Sequence, residues 1–504
     1  MLKQQMGSES DLQQFVVEQL SNVSLTVGSP PPSQPESLPK YRRGSERQRK
    51  VSATFMSIDQ LREAAGGNKK MMHTTGQIHE DDIAEVVIVC EPDLNNNVMG
   101  SIHPHGALYE KPVNVEVSRD QHRRFREAIR ENGVHCLTVH QILMHDTDCN
   151  LRARHELEEL AATRLTYTLD KEHSADDLKE EDTFYLGEKY KSEVLAEMST
   201  EHLIDMILTV PTVHLKPSLR DTGFTASYQF NPLTNMQYTR DQQITTAKGI
   251  VMGRLRSLQR QNEVELMEFC FKKLGLDIAG TVRHPGFLEG GDFYPAGKDL
   301  CMLGVGLRSN VEAAEQLMRE DLFGTTRVAV VEDRFEQDQA RMHLDCIFNI
   351  IGKNIVVLAD DVIGEDKPLR RLVTEYERSD NPDHHSPALG CYRISRREVE
   401  FSKYLEDNGY HIIKLTREEQ LEYGCNVLNL GHGNIISCHR EASRKIIKDP
   451  KFKGRMQVVP FNSITSMYGG LHCSSQVVRR ISPAPKRAVG GFDKPPLASG
   501  LNFK

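Results

Sequence analysis

The feature that most constrains this chain is a loose internal repeat. Five times along 504 residues an apolar strand and a glycine or polar turn lead through another strand and a helical stretch to a closing strand. The first unit opens at 84–90, has its helix at 119–131 and closes at 134–139. The second runs from Tyr238 through 249–252, a helix over 256–273 and a strand at 276–282. The third starts at Leu288, with 300–305, a helix around 311–319 and 327–331. The fourth starts at His343, with 354–358, a helix over 396–408 and 411–415. The fifth starts at Cys425, with 434–437, a helix over 441–448 and 456–460. Five such units predict an α/β fold arranged as a ring with pseudo-fivefold symmetry.

One stretch breaks the count. Residues 141–218 carry Leu157, Leu160, Leu165, Val194, Leu195, Met198, Leu203, Ile204 and Ile207 at helical spacing, which predicts an inserted helical subdomain. Residues 1–80 read as a leader without a packed core: 28–35 is rich in proline and serine, and 41–50 is a basic run. Within the leader, Leu12, Phe15, Val16 and Leu20 share one face of a short amphipathic turn, and Ser45 and Ser52 follow basic pairs as kinase sites do. Residues 482–504 have the composition of a flexible tail, leaving 81–140 and 219–481 as the two parts of the α/β ring.

A net charge of -8 offers no footprint for nucleic acid, and the absence of a long apolar run excludes a membrane-spanning helix. The ten cysteines contain no CxxC pair, which speaks against a zinc site or a disulfide framework and for a reducing compartment. Without a signal-like apolar core, and with Glu9, Asp11 and Glu18 near the start, the expectation is cytoplasmic.

Four short stretches carry chemistry: Asn231 to Asp241, Leu288-Glu289-Gly-Gly-Asp292, Met342-His343-Leu-Asp345, and Gly469-Gly-Leu-His472-Cys473. A guanidinium is a flat cation with five donors in a fixed fork, and paired carboxylates such as Asp241 and Asp345 can grip its edges. Its central carbon yields to a strong nucleophile, a role open to Cys473 with His343 as proton shuttle and Glu289 orienting the imidazole. Taken singly each has a plainer reading. A lone cysteine is usually core packing, a lone histidine a satisfied core residue, and Thr239-Arg240-Asp241 a structural ion pair. Together and in this order they stand apart.

That ordered set resembles the arginine deiminases of the guanidino-group-modifying superfamily, over roughly residues 84 to 480. The resemblance implies a five-bladed α/β propeller with a helical insertion after the first unit. It implies Cys473 as nucleophile, His343 as general acid and then base, Glu289 as its partner, and Asp241 and Asp345 as the guanidinium clamp. Asn235, Arg260 and Arg308 match positions that bind the amino-acid end of L-arginine. No metal or organic cofactor is implied, and related enzymes are dimers or larger. Where many members carry arginine, this chain has Tyr468 before the glycine pair and His472 before the nucleophile, so a cation near the substrate carboxylate is missing.

Hydrolysis of L-arginine to citrulline and ammonia is the leading reading. An amidinotransferase would use the same covalent intermediate with an amine acceptor, and a deiminase of another small guanidine would keep the chemistry. A non-catalytic arginine-binding regulator would need neither thiol nor proton shuttle.

Overall fold

The computed structural model describes residues 76–174, 178–218, 220 and 222–482. The expectations placed on residues 1–75 and 483–504, the amphipathic turn and both basic motifs included, lie outside the described residues. Among the described residues no helix is long and apolar enough to cross a membrane.

The fold is mixed α/β, and its five repeated units share one strand pattern: an antiparallel pair, a helical crossover, and a third strand parallel to the middle one. Strands Gln243–Thr246, Gly249–Met252 and Ile278–Thr281 follow it around helix Gln261–Lys273. Phe293–Pro295, Leu300–Val305 and Arg327–Glu332 follow it around Val311–Arg319. Phe348–Gly352, Ile355–Ala359 and His411–Leu415 follow it around Phe401–Asp407. Leu428–Asn429, Asn434–Ser437 and Arg455–Val458 follow it around Arg440–Lys448.

The remaining sheet draws on both ends of the described chain. Ile83–Val89 pairs in parallel with His135–Thr138 across helix Val115–Glu131, and its antiparallel partner is Gln476–Ile481. The middle strands Gly249–Met252 and Leu300–Val305 are buried along their whole length, as unbroken apolar strands covered on both faces should be. Helix starts are set by side chains that satisfy free N–H groups. Asn114 accepts from Val117, Asn310 from Ala313, and Glu400 from Ser402 and Lys403.

Five expectations are corrected. The insertion is not purely helical: helices Leu151–Arg164, Glu188–Ala196 and Thr200–Thr209 pack with a sheet of Thr166–Leu169, Pro211–Pro217 and Phe224–Phe230. It runs past residue 218, because larger apolar and polar residues alternate at strand period over 212–216 and again over 224–230. The fourth helix begins at Phe401 and not at 396. Residues before it form a hairpin, Leu372–Arg378 with Tyr392–Glu400, which extends the third unit's sheet. The second helix begins at Gln261, after a tight turn over Leu258–Arg260. The leader boundary also moves: Gln77 donates to Thr246, and buried Glu80 pairs with Arg480.

Candidate active site

Each unit delivers one turn just ahead of its first strand, and the candidate residues sit in those turns. Asp241 precedes Gln243–Thr246, and Glu289 leads into the Gly290–Asp292 turn. His343 and Asp345 flank the start of the Leu344–Cys346 turn, and Cys473 lies just before Gln476–Ile481. The turns are tied to one another. Gly290 N donates to Asp241 O (3.1 Å), Leu344 N to Asp292 Oδ1 (2.9 Å), Asn426 Nδ2 to Asp345 O (3.2 Å) and Arg240 N to Cys473 O (3.1 Å).

Two glycines make the close approach workable. A Cβ on Gly290 would stand 2.0 Å from the carbonyl oxygen of Arg240, and one on Gly469 would stand 2.2 Å from the Tyr238 ring. The Leu-Glu-Gly-Gly-Asp and Gly-Gly-x-x-Cys patterns thus have a steric cause.

The histidine and its acid form the tightest contact. His343 Nε2 meets Glu289 Oε2 at 2.7 Å, both side chains being buried, while Nδ1 lies 3.9 Å from Asp241 Oδ1. Burial alone would lower the His343 pKa, but Asp241, the Glu289 hydrogen bond and Asp292 outweigh it and raise it to about 10. Glu289 moves the opposite way: burial would raise it, and the bonded imidazolium holds it below the ordinary carboxylate range. Backbone N–H of Arg256 takes its other oxygen at 2.9 Å. His343 Nδ1 and Asp241 Oδ1 have no hydrogen-bond partner among the described residues.

Around the thiol, Asn426 Nδ2 donates to Cys473 Sγ at 3.1 Å, and Sγ lies 3.5 Å from Asp345 Oδ2. Asn426 Oδ1 accepts from the backbone N–H of His472 (3.0 Å) and Cys473 (3.3 Å), so one amide fixes the turn and touches the sulfur. Burial, together with Asp345, Cys346 and Asp241, pushes the Cys473 thiol well up. Asp345 is held down despite burial, because His472 Nδ1 bonds Oδ2 at 2.8 Å. His472 stacks on Tyr294 with ring centroids 5.3 Å apart.

Asn426 and Asp292 escaped the sequence reading as site residues. Asn426 was findable: it occupies in the fifth unit the position that Asp241, Glu289 and His343 occupy in theirs. Asp292 lies in a recognised motif, yet only the fold shows Ser309 (2.6 Å) and Leu344 N bonded to it and burial raising it to about 7.

Asn235, Asp241, Arg260, Arg308, His343, Tyr468 and Cys473 line one cavity of about 10 Å³. That is room for about one water, so admitting a larger molecule requires movement. Asn235 Nδ2 donates to Ala107 O at 2.9 Å. Arg260 is engaged already, with Nη1 on Asp241 Oδ2 (2.8 Å) and Nε and Nη2 on Glu263 (3.1 and 2.9 Å). Arg308 donates through Nη2 to Gln339 (2.9 Å), and its Nε has no partner among the described residues. Tyr468, with a left-handed φ of 65°, lines both this cavity and an adjoining cleft of about 630 Å³.

Asp241, Glu289 and His343 bring potential metal ligands within 4.8 Å of one another. Of these atoms, His343 Nε2 is bonded to Glu289 Oε2 and Asp241 Oδ2 to Arg260, an arrangement suited to an organic cation and a moving proton.

The family model described as "ADI: Arginine deiminase" matches residues 106–480. The chain is 23% identical over 400 residues to an arginine deiminase of Staphylococcus haemolyticus, covering 75% of this chain and 91% of that one. It is 26% identical over 339 residues to an arginine deiminase of Halobacterium salinarum, covering 52% of this chain and 67% of that one. A solved structure of a DDAH mutant from Pseudomonas aeruginosa complexed with citrulline is similar at TM-score 0.44 and 15% identity. That match covers 79% of this chain and 100% of that one.

Proposed function

The chain belongs to the arginine deiminase family, and from there we propose that it hydrolyses L-arginine to L-citrulline and ammonia through a covalent amidino-cysteine on Cys473. The observation that carries this reading is one cavity lined by Cys473, His343 and Asp241, with unpartnered Asp241 Oδ1 and His343 Nδ1 beside it.

Asp241 and Asp345 hold the two edges of the guanidinium, and Arg260, seated between Asp241 and Glu263, keeps Asp241 in place. Arg308, with its unpartnered Nε, takes the substrate carboxylate, and Asn235 lines the same end. The arriving cation favours the thiolate, whose sulfur attacks the central carbon. Doubly protonated His343 gives its proton to the departing amine, which leaves as ammonia. The neutral imidazole then takes a proton from water as it adds to the same carbon, and collapse returns the thiolate and releases citrulline. Glu289 orients His343 and holds it protonated until that step.

The same reading makes the five sheets the blades of a closed α/β propeller. It is supported by the common strand pattern, by pairing of Ile83–Val89 with Gln476–Ile481, and by the chain of turn-to-turn bonds returning from Cys473 to Arg240.

The test is citrulline and ammonia release from L-arginine by purified protein, beside Cys473→Ala. Equal amounts of both products, abolished in the variant, are expected. Citrulline-free consumption of arginine that depends on an added amine would instead make the protein an amidinotransferase.

A further inference from the structure

The Phe224–Phe230 strand is the outer strand of the insertion's sheet, and it lacks the devices that usually blunt an exposed edge. Its sequence, Phe-Thr-Ala-Ser-Tyr-Gln-Phe, contains no charge, proline or glycine. It pairs with Pro211–Pro217 over seven consecutive positions without a register shift, so no bulge turns it aside. Residues 225–230 are all exposed. The outer strand Tyr392–Glu400 is built the opposite way, with Arg393, Arg396 and Arg397, two register shifts in its pairing, and Glu398 at a φ of 52°.

The free edge also has a defined hydrogen-bonding phase. Pro211 and Pro217, which have no N–H, stand opposite Phe230 and Phe224, and Ser218 N donates to Gly223 O. Antiparallel ladders alternate, so the N–H and C=O groups of Phe224, Ala226, Tyr228 and Phe230 point outward, away from the neighbouring strand. The same four side chains share one face and line an open apolar groove of about 950 Å³ with Tyr185, Met206 and others. Tyr228 is 66% exposed and Phe230 45%.

We propose that this strand is the contact surface of a two-fold dimer, pairing antiparallel with the same strand of a second copy about an axis at Ser227. In that register Phe224 faces the partner's Phe230, and Ala226 faces the partner's Tyr228, small against large. Each outward N–H meets an outward C=O, and Ser227 meets the partner's Ser227 on the axis. The sequence is thus complementary to itself, as a closed isologous contact requires, and no like charges meet within it. Pairing joins the two apolar grooves across the axis and covers Tyr228 and Phe230. A second copy fits better than an unrelated segment because both the phase of the edge and the aromatic pairs match under the two-fold axis.

The test uses the full chain in sedimentation across a wide concentration series. Twice the chain mass is expected. Ala226→Pro, which removes an outward N–H where an edge strand tolerates proline, and Tyr228→Lys should each shift the protein to monomer with citrulline formation unchanged. Ser227→Cys supplies an arm that needs no loss of stability, made in a Cys149→Ser background because Cys149 is exposed. Residues facing across a non-hydrogen-bonded pair lie about 4.5 Å apart, within disulfide reach, so mild oxidation should give a covalent dimer. A monomer at every concentration, a dimer indifferent to both substitutions, or no cross-link through residue 227 would overturn the proposal. So would a monomer that instead holds an extended segment of another protein on this edge.

Discussion

Cys473 sits between opposing influences. Burial, Asp345, Cys346 and Asp241 favour its thiol, while the Asn426 amide, donating to Sγ, favours the thiolate. A guanidinium held by Asp241 and Asp345 shifts the balance, so the nucleophile should form with the substrate. Absorbance titration of the free protein against Cys473→Ser should show no thiolate from this residue at neutral pH, and a lowered thiol pKa once an unreactive guanidinium ligand is bound. Full thiolate at neutral pH in the free protein would contradict this. At His343 the folded pKa is raised from 6.5 to about 10. The stability it contributes is fully present below about 6.5 and is lost as pH climbs through about 10. In Glu289→Gln, the fall in melting temperature over that window should flatten and the alkaline limb of the activity profile should move to lower pH. An unchanged profile would remove Glu289 as the group that holds His343 protonated.

At the level of elements, the turns ahead of the first strands do the assembling, and their glycines are steric necessities. Gly290→Ala puts a methyl against the Arg240 backbone and cannot be relieved by a side-chain rotation. It should destabilise by at least about 1–3 kcal/mol, as overpacked sites do, and lower activity by moving Glu289; a melt within error of the parent would refute this. How much of this was legible follows from the same elements. Asp241, Glu289, His343, Asp345 and Cys473 were all readable, because each sits in a motif whose spacing is set by a turn. Asn426 was readable only from its repeat position, since a single asparagine after Cys425 has no motif around it. The strand Pro211–Pro217 was missed because it follows the helix Thr200–Thr209 closely and was absorbed into the helical pattern, while Phe224–Phe230 fell beyond residue 218, in the segment read as ring. The hairpin before Phe401 was missed because Arg393, Arg396 and Arg397 give its exposed strand the polarity of a helix surface.

At the scale of the whole molecule, the first and last strands of the described residues complete one sheet, and Arg480 secures that seam. Its Nη1 donates to Asp82 O (2.8 Å) and Asn429 O (3.0 Å), and its Nη2 pairs with buried Glu80. Arg480→Met should strip buried Glu80 of its arginine partner, costing about 3–5 kcal/mol in a denaturant melt. Loss of activity in parallel with unfolding is expected, since Cys473 lies on the turn entering the same strand. The turns bring Asp241, His343 and Cys473 to one cavity, and the chemistry that follows is a covalent intermediate on one particular sulfur. The direct measurement is acid quenching during turnover of L-arginine, followed by peptide mass spectrometry. The peptide carrying Cys473 should gain the mass of arginine less ammonia, and the one carrying Cys346 should not. An adduct on another cysteine, or undiminished citrulline formation by Cys473→Ala, would contradict it.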